Sequence, residues 1–317
     1  MNEQFCDVGR GVTLCYETFG DPSNPAALLV MGLAVQMIGW PEDFCNELAE
    51  AGFHVVRFDN RDVGRSTHVP GAPPTVRQLL TRSRHAAHYT LDDMAQDAAG
   101  LLRELDLAPA HVIGASMGGM IAQTLAARHP ELVRSLVSIM STTGRLTRGQ
   151  PSLRLYPLFL RRPAEGREAF VARMEKVFTA IGSPGFPRDL DDIRTLAGDS
   201  FDRDPDPRGP GRQLAAIIAS GDRTRQLHGI RVPTLVIHGS ADRLVRPSGG
   251  RATARAIPGA KLMMVRGMGH DLPRAAWPQL IDAVAQHAHR ADAGADTHAD
   301  VESVPPLQAP PPSVPGL

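Results

Sequence analysis

The sequence is poor in cysteine, and this scarcity excludes two classes of structure. Three cysteines, Cys6, Cys15 and Cys45, occur among 317 residues, and no two of them form a C-x-x-C pair. Such a set cannot build a disulfide framework or a thiolate zinc site. Cys6 and Cys15 could pair across a hairpin that turns at residues 9–11, but buried free thiols are the favoured interpretation.

An excess of charge of one sign and long apolar runs are also missing. Lysine and arginine together number 34, aspartate and glutamate also number 34, and the formal net charge is zero. A neutral chain has no overall field that attracts nucleic acid or an anionic membrane, so we expect neither as a partner. The longest apolar runs, such as residues 26–35, are far shorter than the roughly 20 residues that a transmembrane helix needs. We therefore expect a soluble globular protein.

The sequence also lacks the signals of export and of metal binding. Its first residues have neither the basic nor the apolar region of a signal peptide, which predicts a cytoplasmic location. No H-E-x-x-H motif occurs, and the pairs His85 with His88 and His287 with His289 have no third ligand at metal-site spacing. We expect neither a metal nor an organic cofactor.

What the sequence does contain is an alternation of strand-like and helix-like segments. Near-continuous apolar strands that alternate with helical patterns predict an α/β protein, in which helices cover both faces of a mostly parallel sheet. The predicted strands cover residues 12–19, 27–31, 53–58, 111–114, 132–140, 234–237 and 261–265, and the predicted helices cover residues 44–51, 91–105, 120–128 and 277–289.

This alternation defines the predicted domain organisation. Residues 1–140 and 230–290 form the sheet domain, and residues 141–229 contain helical stretches without a convincing strand. Such an insertion is expected to form a helical lid over a pocket, the alternative being a packing extension without a role in binding. Residues 291–317 have no aromatic residue, and six of the last 17 are proline, which predicts a disordered tail.

A glycine-rich turn is the first feature that indicates chemistry. Gly114-Ala115-Ser116-Met117-Gly118 follows a predicted strand and precedes a predicted helix. This strand–turn–helix context is the one that a G-x-S-x-G nucleophile elbow requires. The turn is tight, so small residues must flank Ser116, and the helix that follows directs N–H groups towards an anion. An ordinary glycine-rich turn is the alternative.

A serine nucleophile needs a base and a group that orients the base, and two later loops offer them. Asp242 follows the strand at residues 234–237, and His270 lies in a glycine-lined loop after the strand at residues 261–265. Open α/β sheets place their sites at these strand ends, and the order serine, acid, histidine is that of α/β-hydrolases. Asp242 could instead only cap a helix, with Asp271 as the partner of His270.

Two backbone N–H groups are the predicted donors to the oxyanion that forms when an ester carbonyl is attacked. One belongs to Met117, directly after the nucleophile. The other is assigned to Leu33, in the loop that turns at Gly32, although Gly32 could only end its strand. Residues 59–66 form a charged turn, and we interpret it as scaffolding whose side chains bond nearby backbone groups.

These motifs together resemble the α/β-hydrolase superfamily, in the same order and over roughly residues 10–290. Within it the chain looks most like bacterial carboxylesterases of the aclacinomycin-methylesterase type and is also similar to 3-oxoadipate enol-lactonases. Members of the family often have His-Gly before the oxyanion loop, where this chain has Met31-Gly32. The segments that carry the resemblance are residues 31–32, 39–41, 59–67, 233–242, 267–270 and the Ser116 elbow.

The expected activity is cofactor-independent hydrolysis of a carboxylic ester through Ser116, His270 and Asp242. Lactone hydrolysis or perhydrolysis would use the same triad, and a non-catalytic ligand receptor is the alternative of another class. The oligomeric state is left open. We expect an apolar ester to be preferred, because the insertion carries more apolar side chains than its helices can bury among themselves. These side chains are Leu155, Leu158, Phe159, Phe170, Met174, Phe178, Leu214 and Ile218.

Overall fold

The computed structural model describes residues 2–159, 165–204 and 206–294, which form an eight-stranded sheet with helices on both faces. The strands are β1 (Gln4–Asp7), β2 (Thr13–Phe19), β3 (Ala26–Val30), β4 (His54–Phe58), β5 (Ala110–Ala115), β6 (Val133–Ile139), β7 (Thr234–Gly239) and β8 (Lys261–Val265). The predicted α/β fold class is confirmed. Strand β1 is an addition, since its four residues were not predicted as a strand.

The helices in the described part of the chain vary from single turns to sixteen residues. They are α1 (Glu42–Glu50), α2 (Val76–Leu80), α3 (Leu91–Glu104), α4 (Met117–Arg128), α5 (Tyr156–Phe159), α6 (Arg167–Ile181), α7 (Leu190–Arg203), α8 (Gly209–Ser220), α9 (Thr224–Leu227), α10 (Ser248–Ala256) and α11 (Trp277–Asp292). Short 3₁₀ helices cover Met37–Gly39, Arg84–Ala86, Pro130–Leu132, Leu153–Leu155 and Arg274–Ala276. None of these described helices is long and apolar enough to cross a membrane.

The strand order is β1-β2-β4-β3-β5-β6-β7-β8. Strand β2 is antiparallel to both of its neighbours, and every pair from β4 to β8 is parallel. The carboxyl ends of β3, β5, β6, β7 and β8 therefore lie at the same edge of the sheet. Loops that follow these strands meet at that edge, as open α/β sheets require of a site.

The central strands are buried on both faces, which explains their near-continuous apolar sequences. In β3, Leu28 and Val30 belong to one apolar layer, and Ala27 and Leu29 belong to the other. Alternate residues of a strand point to opposite faces, so both sides of this strand need an apolar side chain. Helices α3 and α4 cover the first layer, and α1 and α11 cover the second.

Two predicted helix ends move by three residues in the structure, while the other predicted boundaries shift by at most two. Helix α4 begins at Met117 rather than Met120, because the chain enters the helix directly from the turn at Ser116 despite the two glycines that follow. Helix α11 extends to Asp292, so the first two residues of the predicted tail are helical. Residues 295–317 of that tail lie outside the described residues.

The alternative of a Cys6–Cys15 disulfide is wrong. The hairpin of β1 and β2 exists, but its register pairs Cys6 with Leu14 and Cys15 with Phe5. All three cysteines are free and buried. The favoured interpretation, buried free thiols, is therefore confirmed.

In the chain, helices α5 to α9 follow β6 and precede β7. Buried ion pairs attach α7 and α8 to the loop after β4. Arg203 of α7 donates to Asp59 at 2.8 Å, and Arg212 of α8 donates to both carboxylate oxygens of Asp62 at 2.6 and 3.0 Å. The side chains of both aspartates are fully buried. Removing one partner of a buried pair leaves an uncompensated charge, so these contacts fix the inserted helices on the sheet domain.

The loop at residues 59–66 also makes the local bonds that were predicted for it. The Ser66 hydroxyl donates to the carbonyl oxygen of Asp59 at 2.6 Å, and the Arg65 N–H donates to the Asp59 carboxylate at 3.0 Å. The loop is thus scaffolding, and it has the further role of receiving arginines from the insertion.

Candidate active site

Ser116 lies in a strained turn between β5 and α4. Its φ is 56° and its ψ is −118°, a conformation that residues other than glycine rarely adopt and that is concentrated at functional sites. A Cβ at Gly118 would lie 2.0 Å from the Val30 oxygen, and one at Gly114 would lie 2.2 Å from the Gly118 oxygen. Only glycine fits at either position, so the elbow sequence is explained by contacts within the turn and with β3.

His270 lies in the loop after β8, and its imidazole contacts the Ser116 hydroxyl. The distance from His270 Nε2 to Ser116 Oγ is 2.9 Å. The His270 backbone N–H donates to the Ile181 oxygen at 2.8 Å, which ties the loop to the end of α6. His270 is 8% exposed, so its imidazole is largely shielded while it remains within reach of the serine.

Asp242 lies in the loop after β7 and is bonded through both carboxylate oxygens. Oδ2 lies 2.7 Å from His270 Nδ1, and Oδ1 accepts the backbone N–H groups of Leu244 at 2.9 Å and Val245 at 2.8 Å. This network assigns the neutral imidazole proton to Nδ1, which leaves Nε2 as an acceptor for the Ser116 hydroxyl. The structure thus brings Ser116, His270 and Asp242 into one hydrogen-bonded line.

Asp271, the alternative partner of His270, has a different contact. Its carboxylate accepts hydrogen bonds from the Ser183 hydroxyl and, at 3.2 Å, from the Ser183 backbone N–H. Burial raises the pKa of the Asp271 carboxyl above its usual range. In this structure the carboxylate that accepts a hydrogen bond from the His270 imidazole is therefore that of Asp242.

A second histidine lies beside Asp242, and its place at the site was not predicted from the sequence. His238, the fifth residue of β7, is fully buried, and its Nε2 donates to the Val245 oxygen at 2.7 Å and lies 3.5 Å from Asp242 Oδ2. Desolvation lowers the pKa of this imidazole below its ordinary value, with Asp242 opposing the shift. A signal was available, since a histidine at the end of an apolar strand precedes the acid by four residues.

The segments that carry the two predicted oxyanion donors lie next to Ser116. A Cβ at Gly32, the residue before Leu33, would lie 3.0 Å from Ser116 Cβ and 3.6 Å from its Oγ, so this loop approaches the nucleophile closely. Met117 is the first residue of α4, where helix N–H groups have no intrahelical acceptor. Within the described residues, neither the Leu33 nor the Met117 N–H donates to a protein acceptor. Both remain available to a ligand.

No cluster of three or more histidine, cysteine, aspartate or glutamate side chains in the described ranges is arranged to hold a metal ion. The expectation that neither a metal nor a cofactor is needed stays a prediction.

Comparison with known proteins gives two family matches and several relatives. Residues 27–181 match the family model of the alpha/beta hydrolase fold, and residues 218–285 match that of TAP-like proteins. A pimeloyl-[acyl-carrier protein] methyl ester esterase of Chromobacterium violaceum is 30% identical over 215 residues, which cover 66% of this chain and 82% of that protein. The chain belongs to the α/β-hydrolase family.

The chain is also similar to two further proteins over most of its length. Rhodomycin D methylesterase DnrP of Streptomyces peucetius is 29% identical over 304 residues, which cover 88% of this chain and 96% of that protein. The enol-lactonase structure from Burkholderia xenovorans LB400 superposes with a TM-score of 0.63 at 23% identity, over 92% of this chain and all of that one. At this identity the likeness shows the fold alone. The predicted family, the predicted fold and the prediction of a carboxylic ester hydrolase are confirmed.

Proposed function

We propose that this α/β-hydrolase cleaves carboxylic esters through an acyl-enzyme formed on Ser116. The observation that carries the proposal is the hydrogen-bonded line from Ser116 Oγ through His270 to Asp242, with distances of 2.9 and 2.7 Å. Nucleophile, base and orienting carboxylate in this geometry define a serine hydrolase. The methylesterase relatives support an ester as the substrate class.

In the first half of the reaction, Ser116 Oγ attacks the ester carbonyl carbon while His270 Nε2 accepts the hydroxyl proton. The Asp242 carboxylate stabilises the imidazolium that results. The negative charge moves to the carbonyl oxygen, where the N–H groups of Leu33 and Met117 donate to it. The tetrahedral intermediate then collapses, the C–O bond to the alcohol breaks, and His270 gives its proton to the departing alkoxide.

In the second half, water replaces the alcohol. His270 accepts a proton from the water, the hydroxide attacks the acyl carbon, and the same N–H groups stabilise the second oxyanion. Collapse releases the carboxylic acid and restores the Ser116 hydroxyl with the proton held by His270. No redox step occurs, and each proton that His270 accepts leaves it again within the cycle.

The inserted helices α5 to α9 are proposed to cover this site as a lid. Phe170, Met174 and Phe178 of α6 are half-buried, as are Leu214 and Ile218 of α8, so their apolar surface is incompletely covered by the protein. Such surface beside Ser116 would bind an apolar acyl or alcohol group and exclude water from the intermediate. Phe159 ends α5, and its side chain lies outside what the structure describes.

The proposal is tested by the Ser116→Ala variant with p-nitrophenyl butyrate as substrate. Loss of the nucleophile should lower kcat by a factor on the order of 10⁴ to 10⁶, while the far-UV circular dichroism spectrum stays unchanged. Ser138→Ala is the matched control, because Ser138 is a buried serine of the neighbouring strand β6 whose hydroxyl accepts from Gln123, away from the triad. A folded Ser116→Ala protein with activity within about tenfold of the wild type would overturn the assignment.

A panel of substrates separates the chemistries that share this triad. The same steps open a lactone ring, in which case the alcohol stays attached to the acid, and hydrogen peroxide in place of water would yield a peracid. Rates with matched linear esters and lactones, and with an acetate ester plus peroxide, rank these reactions. Binding of the esters without any turnover would indicate a ligand receptor instead.

A further inference from the structure

The loop that carries the Leu33 N–H is held from two sides by buried amide side chains. Asn60 Nδ2 donates to the Met31 carbonyl oxygen at 2.9 Å, and Gln213 Oε1 accepts the backbone N–H of Ala34 at 2.9 Å. Asn60 is 2% exposed and Gln213 is 0% exposed. Neither side chain is in the line of Ser116, His270 and Asp242, so the reaction described above assigns them no role.

These two bonds are placed on either side of the proposed donor. The Leu33 N–H belongs to the peptide that joins Gly32 to Leu33. Asn60 holds the carbonyl of the preceding peptide, and Gln213 holds the N–H of the following peptide. Because peptide units are rigid planes that rotate only about the bonds to Cα, fixing both neighbours limits how far the donor peptide can turn.

The loop conformation needs this restraint. Ala34 has a φ of 63°, in the left-handed region that is sterically unfavourable for a residue with a Cβ. A loop that contains such a residue relaxes to another conformation unless its surroundings hold it. The bond from the Ala34 N–H to Gln213 acts on the strained residue itself.

The orientation of the Gln213 amide is itself fixed. While Oε1 accepts from Ala34, Nε2 donates to the Arg61 carbonyl oxygen at 2.8 Å. Exchanging the two ends would set an N–H donor against an N–H donor and an oxygen against an oxygen. The preceding residue, Arg212, anchors the same turn of α8 through its two bonds to Asp62. The amide is therefore held by the inserted helix and the loop after β4 together.

We infer that Gln213 is a positioning residue that holds the Leu33 N–H in place for the oxyanion, so that an inserted helix completes the oxyanion hole. This inference rests on the proposed function. It makes α8 part of the apparatus that stabilises the transition state, although no atom of Gln213 touches the substrate. Displacing α8 would weaken catalysis even with the triad intact.

Gln213→Met tests this role, since methionine has a similar volume and can make neither hydrogen bond. We expect kcat for p-nitrophenyl butyrate to fall about 10- to 100-fold, less than the roughly 10²–10³ that follows complete removal of an oxyanion donor. KM should change less than about threefold, because the donor acts mainly in the transition state. The inhibition constant of a trifluoromethyl ketone, which forms a tetrahedral adduct with the serine, should rise by the same factor as kcat/KM falls.

Two comparisons separate positioning from a general loss of structure. Gln123→Met is the matched control, because Gln123 is also a fully buried glutamine with two side-chain bonds, to Ser138 and Arg223, away from the oxyanion loop. It should lower the melting temperature comparably and leave kcat within about threefold of the wild type. The midpoint of the pH–rate profile should stay unchanged in Gln213→Met, since Gln213 has no bond to His270.

Gln213→Asn is the second variant, because methionine leaves two buried groups without a partner. Asparagine keeps the amide but is one methylene shorter, and we expect a folded protein with a smaller loss of kcat. Ser116→Ala is measured in parallel: if it stays active, the proposed function fails. If Ser116→Ala is inactive while both folded Gln213 variants keep kcat and ketone affinity within about twofold of the wild type, the positioning role alone is overturned.

Discussion

Asp271 accepts hydrogen bonds from both the hydroxyl and the backbone N–H of Ser183. Ser183 lies just beyond α6, and its Oγ also accepts the Gly269 N–H at 2.8 Å. The acid next to His270 in the sequence thus fastens the end of an inserted helix to the loop that carries the imidazole. Asp242, from another loop, is bonded to that imidazole. The two carboxylates have different surroundings, and their removal should have different consequences.

Asp242→Asn should affect the orientation of the His270 imidazole, whereas Asp271→Asn should affect only the attachment of the loop that carries His270 to the end of α6. An amide at position 242 favours the wrong imidazole tautomer and no longer stabilises the imidazolium, so kcat should fall by a factor on the order of 10⁴. Asp271→Asn should lower the melting temperature and leave kcat within about tenfold of the wild type. Steady-state kinetics and thermal unfolding of both proteins check this, and the reverse pattern would assign the catalytic carboxylate to Asp271.

The dependence of kcat/KM on acyl chain length should show whether the apolar side chains of α6 bind the acyl group. Each buried CH₂ of the acyl group contributes about 0.8 kcal/mol, so kcat/KM should rise from p-nitrophenyl acetate to butyrate and hexanoate until the space is filled. Phe178→Ala should flatten this series. Phe5→Ala is the matched control, because Phe5 is an exposed phenylalanine of β1, outside the inserted helices. A steady fall from acetate onward, unchanged by Phe178→Ala, would show that α6 does not form the acyl site.

The three thiols should resist modification in the folded protein. Burial, and next the carboxylate of Asp59, raises the pKa of Cys15 to about 12, and burial raises the pKa of Cys45 to about 12. Burial also raises the pKa of Cys6. Because the thiolate is the reactive form, an aromatic disulfide reagent at about pH 8 should label the native chain slowly and all three thiols after denaturation. Immediate labelling of native protein would contradict this prediction.

His238 should make the stability of the fold depend on pH. Its folded pKa is lowered below the ordinary value, which is roughly 6.5 for an unfolded histidine, so the unfolded state binds the proton more tightly. The contribution of His238 is fully present above about pH 6.5 and is lost as the pH falls towards the folded pKa.

His238→Gln removes this dependence and keeps a donor for the Val245 oxygen. The difference in melting temperature between the wild type and this variant should therefore be larger at about pH 7.5 than at about pH 5.5. His228→Gln, at an exposed histidine, is the matched control for the substitution itself. A difference that grows as the pH falls would mean that His238 is charged in the folded state.

The residues proposed for the chemical steps could be found from the sequence because each has a local signal. Ser116, Asp242 and His270 all follow apolar strands, and parallel strands end at one edge, so local patterns imply that the three meet. Gln213 has no such signal. Its partners Ala34 and Arg61 are 179 and 152 positions away, and the helical pattern of α8 says only that one face is buried.

The missed secondary structure has physical reasons of its own. Strand β1 has only four residues and buries only Cys6, too short a pattern to show an alternation. Helix α10 contains two glycines and few apolar side chains, and it forms because packing on β7 and β8 overrides its weak propensity. Both elements depend on neighbours that the local sequence does not specify.

The order of the strands along the chain also determines when each residue of the proposed triad is synthesised. Ser116 and both oxyanion N–H groups belong to the first half of the chain, whereas Asp242 and His270 follow β7 and β8, the last two strands to be made and those at one outer edge of the sheet. A nascent chain that has reached α9 therefore contains the proposed nucleophile without the proposed base. On the proposed mechanism such a chain cannot hydrolyse esters until β7, β8 and the loops that follow them have been made and have taken their places in the sheet.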